Sequence, residues 1–479
     1  MGALTHALIG ALLPLPVWLW LRWQVAARFS AWVMLDATPW LAGYLILLGA
    51  SARPLLSGGA IAGAMIFIGI AQFAKRATLR DGLVFTDGGL LWQVFAHPRF
   101  YLPFVPRPVL ALGIAAGIAL TAFVLVLEPG LDLHLMPRLL ILLLGSALFG
   151  ITLRPLILLG STQMQRDPAR DAARFGPLAC FALHARLAAT ERTARQARHA
   201  PAPAALGFAE PAPHLLLLQL ESFCDPRRFG LAQPLPHKDR LAQAALTQGS
   251  LTVSAFGANT MRTEFAVLTG LDDAALGLDR FNPYFRFARQ PIRSLAWQLR
   301  GAGYQTLCLH PFDPRFFGRD KVLPALGFAR FDAAAAFHQA ERVRGLVSDA
   351  AIAERLAADL AAATMPGLWY VISVAAHGPW QGDDPTRAWT DCMKATDDML
   401  GAVMRAAQAS ARPVVIAAFG DHRPALSEAK GGTETDYLIW RSDRPGDGRA
   451  EMLNAIGLHH AIMAAMQGSS GFTAPDQSA

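Results

Sequence analysis

Seven side chains in this sequence pair reactive types with positions that could bring them together: Glu221, Thr260, His310, Arg319, His377, Asp421 and His422. Thr260 lies in the stretch from Gly257 to Gly270, GANTMRTEFAVLTG, where a Gly-Ala-Asn turn leads into an apolar-periodic helix. A hydroxyl at a helix N-terminus sits where free backbone N–H groups and the helix dipole favour an anion. The plainer reading makes Thr260 only an N-cap, with Glu264 as a loose capping-box partner. On this stretch alone the cap is the stronger reading. Three other segments shift the balance.

Glu221 follows the almost wholly apolar run HLLLLQL, where an unpaired carboxylate is costly. It fits a structural ion pair or a metal ligand. Asp421 and His422 are adjacent in GDHRP, after the apolar run VVIAAF, and can offer an oxygen and an imidazole to one divalent cation. With Thr260 they compose a single-cation set around a threonine nucleophile. A threonine hydroxyl attacks poorly at its own pKa, and coordination to a cation lowers that pKa. The same cation neutralises charge on a phosphoryl oxygen. Arg319, in FFGRDK, supplies a planar donor for further oxygens. His310 and His377 are placed to contact the phosphoryl group or the leaving and entering hydroxyls, although a histidine at a strand end is often only a hydrogen-bonded structural group.

These residues need a sheet to present them. Strand-length apolar runs at His214–Leu220, Thr306–His310, Trp369–Val374, Val414–Phe419 and Tyr437–Trp440 alternate with Ala-rich helical stretches, the pattern of an α/β domain. In such domains sites gather beyond the carboxyl ends of the strands, where Glu221, His310, His377 and Asp421-His422 stand.

The other half is of a different kind. The chain of 479 residues is 53% hydrophobic and 16% charged, with mean hydropathy +0.30 and net charge +7. Five apolar stretches approach bilayer-spanning length: Leu4–Leu21, Pro39–Ala52, Gly59–Phe73, Val109–Leu127 and Leu135–Leu159. Trp18, Trp20, Trp23 and Trp40 suit an interfacial belt, and the stretch from Lys75 to Arg107 reads as an interfacial segment. The basic balance is met by anionic lipid, since no zinc-finger or RRM pattern points to nucleic acid. No pair of intramembrane carboxylates or histidines marks a transport path. Four scattered cysteines (Cys180, Cys224, Cys308, Cys392) form no C-x-x-C and read as buried thiols. The expected division is a transmembrane region over 1–160, an amphipathic linker over 161–212, a catalytic domain over 213–467 and a disordered tail over 468–479. Lys75, Arg76 and Arg80 place their loop in the cytoplasm, and five spans would then leave the catalytic half there too.

Five apolar spans followed by ESF, N-T-x-x-x-E-F, a strand ending in His then F-x-R-D, A-x-H-G-P-W and G-D-H resemble the lipoteichoic acid synthase and phosphoglycerol transferase family, within the alkaline-phosphatase/sulfatase superfamily. The resemblance implies about five transmembrane helices followed by an α/β sulfatase-like catalytic domain. It implies Glu221, Thr260, Asp421 and His422 as metal ligands, with Thr260 also the nucleophile, and His310, Arg319 and His377 as substrate contacts. One divalent cation is expected, manganese ahead of magnesium or zinc. Phe317 stands where family members usually carry Trp, and Ala258-Asn259 replaces a polar, Lys-containing approach to the nucleophile.

The activity implied is transfer of a phosphoglycerol headgroup from phosphatidylglycerol, through Thr260, to a hydroxyl of an extracytoplasmic glycan or glycolipid. The enzyme would sit in a bacterial inner membrane with its catalytic domain facing the periplasm or exterior, against the loop charges. The rivals are a phosphoethanolamine transferase, a phosphodiesterase or sulfatase hydrolase, and an inactive scaffold for polysaccharide assembly. One string competes for the nucleophile. Cys224-Asp225-Pro226-Arg227-Arg228 matches the sulfatase C-x-P-x-R, but it follows Glu221 by only three residues, whereas Leu268-Thr269-Gly270 follows Thr260 at the sulfatase spacing.

Overall fold

Seven residues with every side chain buried, His214–Leu220, form strand β1 inside an eight-stranded sheet. The computed structural model describes residues 3–79, 82–89, 107–128, 130–152, 154, 158, 162–202, 207, 208, 210–254, 260–380, 384–429 and 431–468. The other strands of this sheet are β2 (Thr247–Thr252), β3 (Gln305–Leu309), β4 (Arg330–Asp332), β7 (Gly367–Ile372), β8 (Val414–Gly420), β9 (Glu434–Arg441) and β10 (Ala450–Asn454). A separate hairpin pairs β5 (Arg342–Val343) with β6 (Leu346–Val347). Across the large sheet the order is β10-β2-β9-β8-β1-β7-β3-β4.

Around β1 the neighbours β7 and β8 run parallel to it, and β3 runs parallel to β7. Parallel strands covered on both faces favour continuous apolar runs, which is why HLLLLQL and VVIAAF lack alternation. β9 is antiparallel to both β8 and β2, so the sheet is mixed. This is the alkaline-phosphatase-like α/β arrangement. The edge strand β10 and the three-residue β4 lack a strong apolar run and carried no strand signal in the sequence.

Register positions the site. Leu220 of β1 pairs with Gly420 of β8, so Glu221 and Asp421 leave the sheet side by side. A Cβ at Gly420 would collide with the Phe223 carbonyl, so only glycine lets the two exits pass this closely. Leu309 of β3 pairs with Val371 of β7, which delivers His310 and the loop after Ile372 to the same sheet edge.

The chain divides into two compact units, Met1–Glu191 and Arg192–Ala479, and the sheet belongs to the second. In the first, two helices are long and apolar enough to cross a membrane, Val33–Ser51 and Pro54–Arg76, with a shorter apolar helix at Leu135–Gly150. The expectation of five spans therefore reduces, among the described residues, to two such helices. Leu4–Leu21 is not one helix but two, Ala3–Leu12 and Pro14–Gln24, divided just ahead of Pro14, which supplies no N–H to continue the first. The fourth stretch is the helix Arg107–Leu127. Most of the interfacial segment, residues 90–106, lies outside the described residues, as do 469–479 of the tail.

The linker range contains the helices Pro168–Phe175 and Pro177–Arg198. Asp36, fully buried on Val33–Ser51, accepts hydrogen bonds from Trp18 Nε1 (2.8 Å), Arg22 Nη1 (2.7 Å) and the backbone N–H groups of Leu178 (2.8 Å) and Ala179 (3.0 Å). Those last two are orphan donors of the helix Pro177–Arg198, so the carboxylate caps that helix from an apolar one. With four donors on it, Asp36 is a structural clamp rather than a step in a transport path.

Candidate metal and nucleophile site

Glu221, Asp421 and His422 are buried, and one ligand atom from each lies within 4.8 Å of the others. His422 Nε2 stands 3.3 Å from Glu221 Oε1 and 3.5 Å from Asp421 Oδ2. Its Nδ1–H donates to the Arg423 carbonyl at 3.0 Å, which turns Nε2 toward the carboxylates. Asp421 Oδ1 accepts from the backbone N–H groups of Ser222 (3.1 Å) and His422 (3.0 Å), while its buried Oδ2 has no hydrogen-bond partner. Two buried carboxylates, one with an orphaned oxygen, and an imidazole held in the metal-binding tautomer are a donor set for a divalent cation. The residues fit the group that the resemblance implies.

The electrostatics agree. Burial would raise Glu221, but the charges of His377 and His422 and hydrogen bonds from His422 and Ser222 outweigh it and hold the carboxyl low. Burial and the Glu221 charge push Asp421 up against the opposing pull of His422 and Thr260. Burial opposes protonation of His422, yet the two carboxylates raise its pKa to about 10. A cation entering this cluster must therefore displace the His422 proton. Calorimetry at pH 7 in buffers of different ionisation enthalpy is expected to show about one proton released per cation, with affinity weakening roughly tenfold per pH unit as pH falls. Binding without proton release would contradict this charge assignment.

The backbone around Glu221 is built for the purpose. Ser222 adopts a left-handed conformation (φ 52°) that turns the chain sharply off β1. That turn aims Ser222 N–H at Asp421 and lets Ser222 Oγ donate to Glu221 Oε1 at 2.8 Å. A non-glycine residue held there is strained, and such strain gathers at functional sites. Just past the end of β7, Ser373 Oγ accepts the Glu221 N–H at 2.9 Å.

Thr260 opens the helix Thr260–Thr269 and is buried. Residues 255–259 ahead of it lie outside the described residues, so the Gly-Ala-Asn turn is not described. One turn along, Thr263 Oγ1 donates to the Asp421 carbonyl at 3.1 Å and ties this helix to the carboxylate loop. Thr260, Thr263 and Glu264 share one helix face by their spacing. The Thr260 side chain thus comes to the Asp421 carboxylate, as its influence on that pKa requires.

Arg319 and His310 are brought together, but largely by facing each other. Arg319 is 1% exposed and donates from Nε and Nη2 to Glu264 Oε1 (3.2 Å) and Oε2 (2.7 Å). Its Nη1 donates to His310 Nε2 at 3.1 Å, while His310 Nδ1–H donates to the Ile372 carbonyl at 3.1 Å. Burial and the Arg319 charge drive the His310 pKa well down, so this ring is neutral. A guanidinium has five N–H donors. Three are engaged in these bonds, which leaves two, one on each terminal nitrogen, for a substrate oxygen. Phe317, at the position of the family's Trp, is also left-handed (φ 54°), with its ring 5.2 Å from the Arg319 carbon. His377 is partly exposed on the loop after β7; its charge lowers Glu221, and its Nδ1–H donates to the Gly378 carbonyl.

Sequence reasoning passed over Ser222, Thr263, Ser373 and Tyr284. It reduced Glu264 to a cap, although this residue accepts from Arg319 and from Tyr284 Oη at 2.7 Å. The N-T-x-x-x-E-F string carried the Glu264 signal. The single-residue hydroxyls had none.

Cys224 is fully buried in the core cluster that contains Leu220 and Phe223, and burial raises its thiol pKa far above the ordinary range. Asp225 caps the short helical turn that Pro226 opens, and Arg228 pairs with Asp436 at 2.7 Å. The C-x-P-x-R string is thereby occupied with local structure. Cys224→Ala is expected to leave cation binding unchanged and to cost only about 1–2 kcal/mol of stability, measured by denaturant melts.

A mixed α/β sheet with two carboxylates and an imidazole at its carboxyl edge defines a sulfatase-type domain. The chain belongs to the Sulfatase family, whose model matches residues 213–469, more than half of the sequence. It is 30% identical to the capsular polysaccharide biosynthesis protein RkpI of Rhizobium meliloti, over 81% of this chain and 77% of that protein. Among solved structures it is similar to the phosphoglycerol transferase GacH of Streptococcus pyogenes in complex with sn-glycerol-1-phosphate. That likeness has TM-score 0.47 and 19% identity, over 62% of this chain and 86% of that one. It is also similar to the integral membrane lipooligosaccharide phosphoethanolamine transferase A of Neisseria meningitidis, with TM-score 0.49 and 10% identity, over 92% of this chain and 96% of that one.

Proposed function

We propose that this chain is a membrane-bound phosphotransferase that moves the phosphoglycerol headgroup of phosphatidylglycerol onto a hydroxyl of an extracytoplasmic glycan or glycolipid. The observation that carries the reading is Thr260, a hydroxyl at the start of a helix, standing at a buried carboxylate–imidazole cluster. A bound divalent cation would lower the hydroxyl pKa and offset phosphoryl charge. Glu221, Asp421 and His422 would hold it, with Thr260 as the fourth ligand.

In the first step Thr260, already deprotonated because a bound cation would lower its pKa, attacks phosphorus through its oxygen, and the bond from phosphorus to the diacylglycerol oxygen breaks. The alcohol leaves with a proton, which His377 is placed to supply because the Nε2 of His310 is already engaged by Arg319. In the second step an acceptor hydroxyl gives up its proton to the same imidazole and attacks phosphorus, releasing Thr260. The two remaining N–H groups of Arg319 would hold the non-bridging oxygens. Diacylglycerol returns to the bilayer, which gives the apolar helices of the first unit their reason. An extracytoplasmic glycan acceptor accords with the named role of the Rhizobium relative in capsular polysaccharide biosynthesis.

The test is peptide mass spectrometry of the full chain after brief incubation with cation and phosphatidylglycerol or phosphatidylethanolamine, without acceptor. A glycerophosphate adduct on Thr260 is the expected result. A phosphoethanolamine adduct alone would move the protein to the other headgroup. Cation binding without any adduct would favour a hydrolase, and absence of both would favour a scaffold.

A further inference from the structure

The two-residue turn between β5 and β6 is Arg344-Gly345, and both residues have positive φ, 54° and 80°. Such tight hairpin turns favour Asn-Gly or Gly-Gly, because a side chain with a β-carbon is strained in the left-handed region. An arginine is a poor choice for the turn itself. Its side chain is exposed, so it fills no core. Arg344 Nη2 instead reaches across to the loop after β7, donating to the Ala375 carbonyl at 2.7 Å and to the His377 carbonyl at 2.9 Å. Within that loop the His377 N–H donates to the Val374 carbonyl at 3.1 Å, and Cys392 Sγ lies 3.9 Å from the Ala375 carbonyl.

We infer that Arg344 is a positioning residue, which accepts backbone strain in the β5–β6 turn in order to clamp the loop that aims His377 into the site. The role rests on the phosphotransfer reading above, because the imidazole it aims is the one left to handle the alcohol proton. A strained residue held by contacts that its own fold does not need points to function. The clamp binds carbonyls on both sides of the loop's bend, so it fixes the direction in which the His377 side chain leaves the backbone. A misplacement of about 1 Å at a reacting group costs on the order of a hundredfold in rate.

The substitution that separates positioning from structure is Arg344→Gly, since glycine relieves the turn while removing the clamp. In the full-length chain, Arg344→Gly is expected to melt at the same temperature as the parent or higher. Hydrogen exchange by mass spectrometry should rise in peptides covering residues 374–380 and stay unchanged in those covering Glu221, Thr260 and Asp421. The turnover number for Thr260 adduct formation should fall roughly ten- to a hundredfold, with KM for the lipid little changed. Arg344→Lys, with one ammonium in place of the guanidinium, should recover part of the loss. Unchanged exchange in 374–380 overturns the inference. So does raised exchange with undiminished turnover, or a loss of activity that merely tracks a lower melting temperature. If the parent protein forms no adduct with either lipid, the phosphotransfer reading fails by itself. The clamp is then judged on the exchange of 374–380 alone, where unchanged protection still overturns it.

Discussion

Thr260→Ala is expected to abolish adduct formation and to slow headgroup transfer by on the order of 10⁴-fold or more, about 5.5 kcal/mol of transition-state stabilisation. The folded protein should barely notice. Thr260 contributes one small side chain at the edge of a helix whose anchorage comes from Thr263 and from the buried Met261 and Phe265. Its removal also takes one opposing influence off the Asp421 carboxyl, so cation binding should weaken without being lost. Thr260→Ser supplies the control. The hydroxyl remains, but without the methyl its χ1 is less restricted, and the rate should fall only roughly ten- to a hundredfold. Rates of phosphoglycerol release from labelled phosphatidylglycerol, taken beside cation affinities, would check all three. Full activity in Thr260→Ala would remove the covalent step, and with it the distinction drawn between Thr260 and Cys224.

How legible the site was depends on which link of the chain fixed each residue. Glu221, His310 and Asp421 were readable because each ends a continuous apolar strand, and a parallel buried sheet leaves its polar residues only at such ends. Register then did what the sequence could not state: Leu220 opposite Gly420 is what makes neighbours of Glu221 and Asp421, two hundred residues apart. Edge strands such as β10 and β4 were invisible because one partner and partial exposure demand no apolar run. The helix boundaries in the first unit moved for a plain local reason, Pro14, while Val33–Ser51 extends well ahead of its predicted start because Asp36 is satisfied by tertiary donors rather than by water. Arg319 was legible as a planar donor for further oxygens, but the sequence showed neither that Glu264 holds two of its donors nor that His310 takes a third. Such saturation is a property of three-dimensional geometry, and it changes what the guanidinium has left to give.

That saturation sets the second large effect. Glu264→Ala would leave the Arg319 guanidinium, 1% exposed, without its carboxylate and would remove the acceptor of the Tyr284 hydroxyl. Breaking one side of a buried ion pair costs about 3–5 kcal/mol, a fall in melting temperature on the order of 10 °C for a domain of this size. The catalytic loss should be as severe, because Glu264 lies one helical turn beyond Thr260. It joins the helix that carries Thr260 to Arg319, whose two remaining N–H groups would hold the phosphoryl oxygens. The double variant Glu264→Leu with Arg319→Met separates the two effects. Replacing a buried pair by apolar residues of similar volume often restores stability, so the melting temperature should return most of the way while transfer stays lost. A double-mutant cycle on both quantities is then expected to show strong coupling in stability. In activity the double variant should do no better than Arg319→Met alone. Recovery of transfer in the double variant would make the buried pair a structural support only, and the phosphoryl oxygens would have to be held by His377 and the cation site.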